Sequence, residues 1–377
     1  MGKVKVGVVG CGCVSQRTYM PTLAQLAATR VDLVAVCDTV KKRAEEVGEK
    51  FHAKECYDDF EKMLAEASID MVVNLTDIFH HVPIIRAALR AGKHVYTEKP
   101  LAPTVEEANS LIEEAEKNKV KLACAPPLLL HPAIRQGKEI ILSGTIGKIC
   151  FARGHGSHAG IDVIEGWPTD ASWFVKKGAG PAFDLGVYPL TVLTGIIGPA
   201  KRVTAFSGIA IPERLIKGGV TKGMIQKTEA DDNTLLLLDF GDSTFAAVDA
   251  TFCVKAIKGA AYEFYGSEGT LVFNRTTGSD FWFEAYSSKE GLPTNGWFTS
   301  KAKPFPSWRV PLNQTRPFWE TSESWNISAG LVHLVDCILE DQEPLISGEH
   351  ARHIVEIITK AYQSAETGRT QELVTTF

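Results

Sequence analysis

The chain has 377 residues, of which 45% are hydrophobic and 23% charged, a composition that is ordinary for folded globular proteins. At about 100 to 200 residues per domain, this length predicts two domains or one large one. The formal net charge of −5 excludes the strong positive field that nucleic acids and anionic membranes select. No apolar run approaches the ~20 residues that cross a bilayer, so we predict a cytoplasmic protein without nucleic-acid or membrane partners.

The first 125 residues alternate short apolar runs with amphipathic segments. Val4–Val9 is a β-branched run typical of a strand buried on both faces, and a helical stretch near 15–29 follows it. The same alternation continues with strands at 33–37, 71–75 and 94–97 and helices at 41–51, 84–91 and 104–118. Alternating strands and helices predict a parallel sheet with crossover helices.

After residue 145 the pattern changes to longer β-type runs, with a hairpin turn at Gly241-Asp242. The predicted strands are 149–154, 202–209, 234–240, 243–252, 260–265 and 270–273, and the predicted helices are 184–197, 326–340 and 348–366. This half predicts an α+β domain with a large, mostly antiparallel sheet and helices on one face. Residues 274–325 lack clear periodicity, and we interpret them as long loops that cover a face or contact another subunit.

The cysteines give little support to metal or disulfide chemistry. Only Cys11 and Cys13 among the eight lie close together, and no Cys-x-x-Cys pair occurs. The long spacings favour reduced, buried thiols. We therefore expect no metal site.

A glycine-rich turn follows the first strand directly. Gly10-Cys11-Gly12-Cys13-Val14-Ser15 has the small residues that let a backbone approach a pyrophosphate, with amide donors from the helix that it opens. A glycine-rich turn that binds nothing is the alternative. Its position in the first strand–helix unit favours dinucleotide binding.

Asp38 ends the second predicted strand. A carboxylate there accepts hydrogen bonds from the ribose hydroxyls of NAD and repels the 2′-phosphate of NADP, so NAD is favoured. The alternative is a helix N-cap at Asp38 or Thr39. The neighbouring Lys41, Lys42 and Arg43 offset part of the repulsion.

Two later segments carry groups suited to proton transfer. Glu98-Lys99-Pro100 follows a strand whose carboxyl end faces the ligand crevice, although such a segment is often only a solvated turn. Asp184 and Tyr188 follow a glycine-rich turn at helical i, i+4 spacing, which puts both on one face. Such a pair either binds polyol hydroxyls and exchanges a proton, or serves as a dipole partner and a buried ring.

Together these features resemble the glucose–fructose oxidoreductase, inositol dehydrogenase and MocA (Gfo/Idh/MocA) family along most of the chain. The most specific likeness is the segment 91–100, AGKHVYTEKP, followed by Asp184-x-Gly186-x-Tyr188. The resemblance implies an NAD(P)-binding Rossmann domain at 1–125 and a substrate-binding and oligomerisation domain at 126–377. It also implies hydride transfer between nicotinamide and a secondary alcohol or ketone of a sugar, cyclitol or related polyol.

Site residues carry over from the family by position. Lys99 would orient the reacting hydroxyl, with Asp184 beside it and Tyr188 as acid/base. The expected cofactor contacts are Gly10, Gly12, Cys13, Val14, Asp38, Thr76, His81, Glu98 and Lys99, and His158 and Trp173 are weaker candidates for substrate contacts. The chain departs from the family pattern at two places. It has Thr76-Asp77 where the family commonly has Thr-Pro, and its segment 126–132 lacks an arginine that many members have there.

The leading hypothesis is thus an NAD(P)-dependent dehydrogenase or reductase that acts on a carbohydrate-like substrate. It is a homo-oligomer, a dimer or tetramer, built through the C-terminal sheet. One alternative is an oxidoreductase that recycles a tightly bound NADP between two substrates. Another is a non-catalytic NAD-binding sensor, although such a sensor would not need both Lys99 and Tyr188.

Overall fold

The computed structural model describes residues 2–163, 170–217, 220–275, 281–289, 297–299 and 327–377. Its first part is a six-stranded sheet in which every pair of neighbours is parallel. The strands are β1 (Val4–Val9), β2 (Val31–Cys37), β3 (Glu55–Tyr57), β4 (Met71–Asn74), β5 (His94–Thr97) and β6 (Leu122–Cys124). Their order β3-β2-β1-β4-β5-β6 is that of a dinucleotide-binding fold, with the switch point beside β1.

Five helices connect these strands. They are α1 (Met20–Leu26), α2 (Lys41–Phe51), α3 (Phe60–Glu66), α4 (His81–Arg90) and α5 (Val105–Asn118). Local chemistry sets several ends: Asp59 caps α3, Thr104 caps α5, and Gly92 takes a positive φ just after α4. A single π-helical turn, Ser15–Tyr19, precedes α1.

Among the described residues, the second part is a nine-stranded sheet in which one pair of neighbouring strands near the centre is parallel and the other pairs are antiparallel. The strands are β7 (Ile149–Ser157), β8 (Arg202–Gly208), β11 (Asn233–Gly241), β12 (Thr244–Thr251), β13 (Tyr262–Gly266), β14 (Gly269–Arg275), β15 (Phe281–Ser287), β16 (Phe298–Thr299) and β17 (Gln371–Glu372), and a separate hairpin joins β9 (Glu213–Leu215) to β10 (Ile225–Lys227). The order is β16-β15-β14-β13-β7-β12-β11-β8-β17. The predicted fold class, a parallel Rossmann sheet followed by a mostly antiparallel sheet, is confirmed.

Helices cover one face of the large sheet. They are α6 (Pro132–Leu142), α7 (Val187–Ile197) and α9 (Gly348–Thr367), and α8 (Ala329–Glu340) packs against the first sheet. The strands alternate accordingly: Leu236 and Leu238 are buried beneath the helices, while Leu235 and Leu237 are more than half exposed on the other face. The predicted one-sided sheet therefore leaves an open apolar face.

The interpretation of 274–325 as loops is wrong where the structure describes this segment. β15 pairs antiparallel with β14, and β16 pairs with β15. Aromatic residues in adjacent positions of β15 hide the alternation in the sequence, whereas in the structure Phe283, Ala285 and Ser287 are buried on one face. Residues 276–280, 290–296 and 300–326 lie outside the described residues.

The end of the chain returns to the first sheet. The amide of Cys124 at the end of β6 donates to the carbonyl of Ile346, and Thr22 in α1 hydrogen-bonds Ser328 just before α8. The boundary at 125/126 stays a prediction. In the part of the chain that the structure describes, no helix has the length and apolar character needed to span a membrane.

Candidate active site

A cleft of about 920 Å³ runs along the carboxyl ends of the first sheet to the inner edge of the second part. Its volume is in the range of small-molecule sites. Residues of both halves line it, and they include Gly10, Gly12, Cys13, Val14, Asp38, Thr76, Glu98, Lys99, His158, Trp173, Asp184 and Tyr188. The structure thus brings together every predicted site residue except His81.

The glycine-rich turn forms one end of this cleft. Gly10 has a φ of +90°, and a Cβ there would lie 2.7 Å from the carbonyl oxygen of Leu75, so only glycine fits. A Cβ on Gly12 would meet nothing within 4 Å because this residue faces the open cleft. The turn therefore offers a cradle of backbone next to a helix N-terminus, which suits a pyrophosphate.

Asp38 lies beside this turn and is 6% exposed. Its Oδ2 accepts the amide of Cys11 at 2.9 Å, and its Oδ1 accepts the amide of Val40 at 2.9 Å. Arg43 Nη1 lies 3.1 Å from both carboxylate oxygens. Val40, and not Asp38 or Thr39, is the N-cap residue of α2, so the carboxylate instead ties the turn to α2 at the wall of the cleft.

Lys99, Asp184 and Tyr188 form the other end. Lys99 Nζ donates to Asp184 Oδ1 at 2.5 Å and to the Asp184 carbonyl at 2.9 Å. The same ammonium lies 5.5 Å from the centroid of the Tyr188 ring. An ammonium has three donors, so two directed at Asp184 leave one for a substrate hydroxyl.

Lys99 is held in its charged form. Burial lowers the pKa of its ammonium, but Asp184, followed by Tyr188 and Glu98, raises it by more, so the net shift is upward. The side chains of Lys99 and Asp184 are only 14% and 11% exposed. Because Lys99 stays protonated, it can orient and polarise an oxygen throughout the neutral pH range.

This end of the site is assembled by a second π-helical turn, Ala182–Gly186, which precedes α7. Asp184 lies inside it and Tyr188 lies in the first turn of α7. Turns of this kind often mark functional sites because the extra residue changes which side chains face inward. The predicted helix at 184–197 is confirmed from Val187 onward, with this irregular start.

His81 requires a correction, since it does not line the cleft. It is fully buried at the start of α4, with its ring nitrogens 2.7 and 3.2 Å from the carbonyl oxygens of Pro100 and Thr76. Burial lowers its pKa, against smaller opposing effects from those carbonyls. His81 therefore fixes the turn after β4 to the Glu98-Lys99-Pro100 turn from behind the cleft wall.

His158 and Trp173 both line the cleft on the side of the second domain. The Nδ1 of His158 accepts the amide of Gly160 at 2.7 Å, and its ring stacks on Phe252 at 5.2 Å. Because Nδ1 accepts, the neutral ring carries its proton on Nε2. Trp173 stacks on Phe174 at 3.8 Å, and Trp167, which the sequence places nearby, lies outside the described residues.

The sequence did not reveal several residues of the cleft. Asp170 and Lys176 lie at its rim, and Phe79, in the loop that replaces the family's Thr-Pro, is 47% exposed there. A signal existed for Asp170, since Asp-x-Ser favours the bonds that its carboxylate accepts from Ser172. Lys176 and Phe79 carry no motif.

Comparison with known proteins agrees with this geometry. Residues 4–125 match a family model described as "Oxidoreductase family, NAD-binding Rossmann fold", and residues 134–272 match the "GFO/IDH/MocA C-terminal domain". The chain belongs to the Gfo/Idh/MocA family. It is accordingly an NAD(P)-dependent oxidoreductase with a Rossmann domain and the family's C-terminal domain.

Individual relatives are distant. A trans-1,2-dihydrobenzene-1,2-diol dehydrogenase of Mus musculus is 27% identical over 62% of this chain and 64% of its own length, slightly under two thirds. A levoglucosan dehydrogenase of Pseudarthrobacter phenanthrenivorans is 24% identical over 73% of this chain and 74% of its own. The solved structure of a levoglucosan dehydrogenase with NADH and L-sorbose matches the fold with a TM-score of 0.81, 20% identity and full coverage of both chains.

Proposed function

We propose that this protein is a dehydrogenase or reductase that transfers a hydride between NAD and a secondary alcohol or ketone of a sugar, cyclitol or related polyol. The observation that carries the proposal is the buried Lys99–Asp184 pair beside Tyr188, in the same cleft as the glycine-rich turn. Relatives that include a levoglucosan dehydrogenase support the substrate class. The cleft offers charged side chains of both signs that can hydrogen-bond the hydroxyls of a polyol.

Each residue has a defined part in this reaction. Bound NAD supplies the carbon that accepts or returns the hydride. Lys99 directs its remaining N–H at the reacting oxygen, and Asp184 keeps that ammonium in place. In the direction of oxidation, the hydroxyl proton passes to the ionised phenol of Tyr188, whose negative charge the ammonium 5.5 Å from its ring stabilises. His158 Nε2–H and Trp173 would contact the rest of the polyol.

We infer a preference for NAD over NADP from Asp38. Its carboxylate lies at the cleft wall where a 2′-phosphate would be repelled. Arg43 already neutralises part of this charge, which makes the preference moderate. The remaining proposed cofactor contacts are Thr76, Cys13, Val14 and Glu98. The eight free thiols fit a reducing, cytoplasmic compartment.

We also propose that a second copy of the chain covers the open sheet face. Phe206, Leu235, Leu237 and Phe245 are 80%, 53%, 59% and 49% exposed on neighbouring strands of that face. A contiguous apolar patch of this kind marks an interaction surface. Leu237→Glu should convert a dimer or tetramer to a monomer in light scattering, whereas Leu345→Glu, an exposed leucine away from the sheet, should not.

The experiment that tests the function is a panel of sugars, cyclitols and sugar acids with NAD and with NADP, followed by the absorbance of the reduced cofactor. We expect turnover with at least one polyol and a higher kcat/KM with NAD. No turnover with any of them would contradict the proposal. Cofactor released only on denaturation would favour the recycling oxidoreductase, and bound NAD without turnover would favour the sensor.

A further inference from the structure

A chain of buried hydroxyls lies behind the Lys99 turn and takes no part in the reaction described above. Tyr19 Oη donates to Glu98 Oε1 at 2.5 Å and lies 3.2 Å from Tyr96 Oη. Both tyrosines are fully buried, and Glu98 is 9% exposed. Glu98 is nevertheless one of the residues that line the cleft, so it connects the buried hydroxyls to the site.

The direction of the hydrogen bonds follows from the donors. The single hydrogen of Tyr19 goes to Glu98, so Tyr96 must donate its own to the oxygen of Tyr19. Burial, with the charge of Glu98 acting in the same direction, raises the pKa of both tyrosines well above its usual value of 10.0. Both phenols therefore stay neutral. Tyr96 donates to Tyr19, and Tyr19 donates to the carboxylate of Glu98.

The other oxygen of that carboxylate is held as well. Glu98 Oε2 accepts the backbone amide of Lys99 at 3.2 Å. A buried carboxylate is costly unless hydrogen bonds satisfy it, and this one has a fixed donor for each oxygen. The side chain of Glu98 is thereby locked against the turn that presents Lys99.

Three segments of the chain meet at this network. Tyr19 ends the π-helical turn that follows the glycine-rich turn, Tyr96 comes from β5, and α8 closes the far side. A Cβ on Gly330 of α8 would lie 2.7 Å from the Tyr96 hydroxyl, so the absence of a side chain there makes room for it. The hydroxyl chain thus joins the helical turn that follows the glycine-rich turn to the segment that carries Lys99.

We propose that Tyr19 is a positioning residue of this site: its hydroxyl, supported by Tyr96, fixes the carboxylate of Glu98 and so keeps the dinucleotide turn and the Lys99 turn in one geometry. This inference rests on the proposed function for its kinetic consequences, but not for its effect on cofactor binding. The titratable groups near Glu98 are Tyr19, His81, Tyr96, Lys99 and Cys124.

The test compares Tyr19→Phe, Tyr96→Phe, Glu98→Gln and the double variant Tyr19→Phe/Glu98→Gln. Tyr57→Phe is the control, because Tyr57 donates to Glu55 at the same 2.5 Å on the edge strand β3 and is not among the residues that line the cleft. Without the Tyr19 hydroxyl, one oxygen of Glu98 loses its fixed donor and the Lys99 turn is held less firmly. In Tyr19→Phe we therefore expect kcat to fall by about tenfold while the KM of the polyol changes little, because the reacting groups are less well positioned.

Tyr96→Phe should lower kcat in the same way but by less, and Tyr57→Phe should leave kcat unchanged. In the double variant, the loss should be no greater than in Glu98→Gln alone, because the tyrosine acts through the carboxylate. An unchanged kcat in Tyr19→Phe, with only a lower melting temperature, would mean that Tyr19 merely packs, and the proposal would be overturned.

A second measurement needs no carbohydrate substrate. The dissociation constant for NADH, read from the fluorescence of the bound cofactor, should rise in Tyr19→Phe and in Glu98→Gln, and the two effects should not add in the double variant. Additive or absent effects would overturn the proposal. If the wild type oxidises no polyol and yet shows this non-additivity, the proposed function fails and the positioning role of Tyr19 stands.

Discussion

The two ends of the cleft contain the same chemical pair in different surroundings. At one end Arg43 faces Asp38 at 3.1 Å, and at the other Lys99 faces Asp184 at 2.5 Å. Arg43 is 33% exposed and Asp38 is anchored by two backbone amides, whereas Lys99 and Asp184 are both nearly buried. The difference indicates that burial decides the role: the exposed cation can turn to a ligand, while the buried one holds its charge and position for chemistry.

The largest effect is expected at the buried pair. Lys99→Ala removes the cation that orients the hydroxyl and stabilises the ionised Tyr188, so kcat should fall by about a thousandfold while NADH binding changes little. Lys177→Ala, an exposed lysine beside the cleft wall, is the control and should retain wild-type turnover. Near-wild-type turnover in Lys99→Ala would remove the basis for the assigned role.

The next effect concerns pH. The pKa of Lys99 is raised above its ordinary value, so the ammonium is complete at neutral pH and is lost only as pH rises through the raised value. Asp184→Asn removes the charge that raises the pKa of Lys99 most, so that only Tyr188 and Glu98 still oppose the effect of burial. We expect the alkaline limb of the kcat profile to move to lower pH. An alkaline limb that stays in place would show that the cation does not depend on Asp184.

A smaller effect is expected at the Arg43–Asp38 pair. Asp38→Ala removes an acceptor for the ribose hydroxyls and a charge that repels a 2′-phosphate, so the kcat/KM ratio of NAD to NADP should fall by about tenfold. Part of the loss with NAD will come from the glycine-rich turn, because the amide of Cys11 loses its partner. A ratio that moves toward NAD would contradict the ribose assignment.

The smallest effect is expected for Arg43→Ala. Its guanidinium is the group nearest to Asp38 that can meet a 2′-phosphate, so NADP should lose about threefold in kcat/KM and NAD should change by less. Lys42→Ala, whose side chain is 83% exposed, is the control for a general loss of positive charge. Equal losses with both cofactors would show that Arg43 serves only to hold Asp38.

Local patterns were sufficient for much of the first half. Val4–Val9 and Lys41–Phe51 are confirmed to the residue, since a β-branched run and an amphipathic charged run each have one clear periodicity. The hairpin turn predicted at Gly241-Asp242 lies one residue later, at Asp242-Ser243, where both residues have positive φ between the paired Gly241 and Thr244. The motifs also indicated which end of the strands would face the cleft.

What the sequence missed depends on contacts between distant segments. The two π-helical turns insert a residue into an otherwise helical pattern, so the facing of Tyr19 and Asp184 follows from packing and not from periodicity. Tyr19 and Glu98 are 79 residues apart, and no local signal pairs them. His81 lies behind the residues that line the cleft, and the sequence missed this because matching a family position does not show whether a side chain faces the cleft or the core.

The central claim is hydride transfer from a carbohydrate-like carbon to NAD in this cleft. The most direct test uses the best polyol of the substrate panel, deuterated at the carbon to be oxidised, with unlabelled NAD and mass analysis of the reduced cofactor. We expect deuterium to appear in the cofactor with the wild type and about a thousandfold more slowly with Lys99→Ala. Reduced cofactor without deuterium, or transfer at equal rates in both proteins, would contradict it.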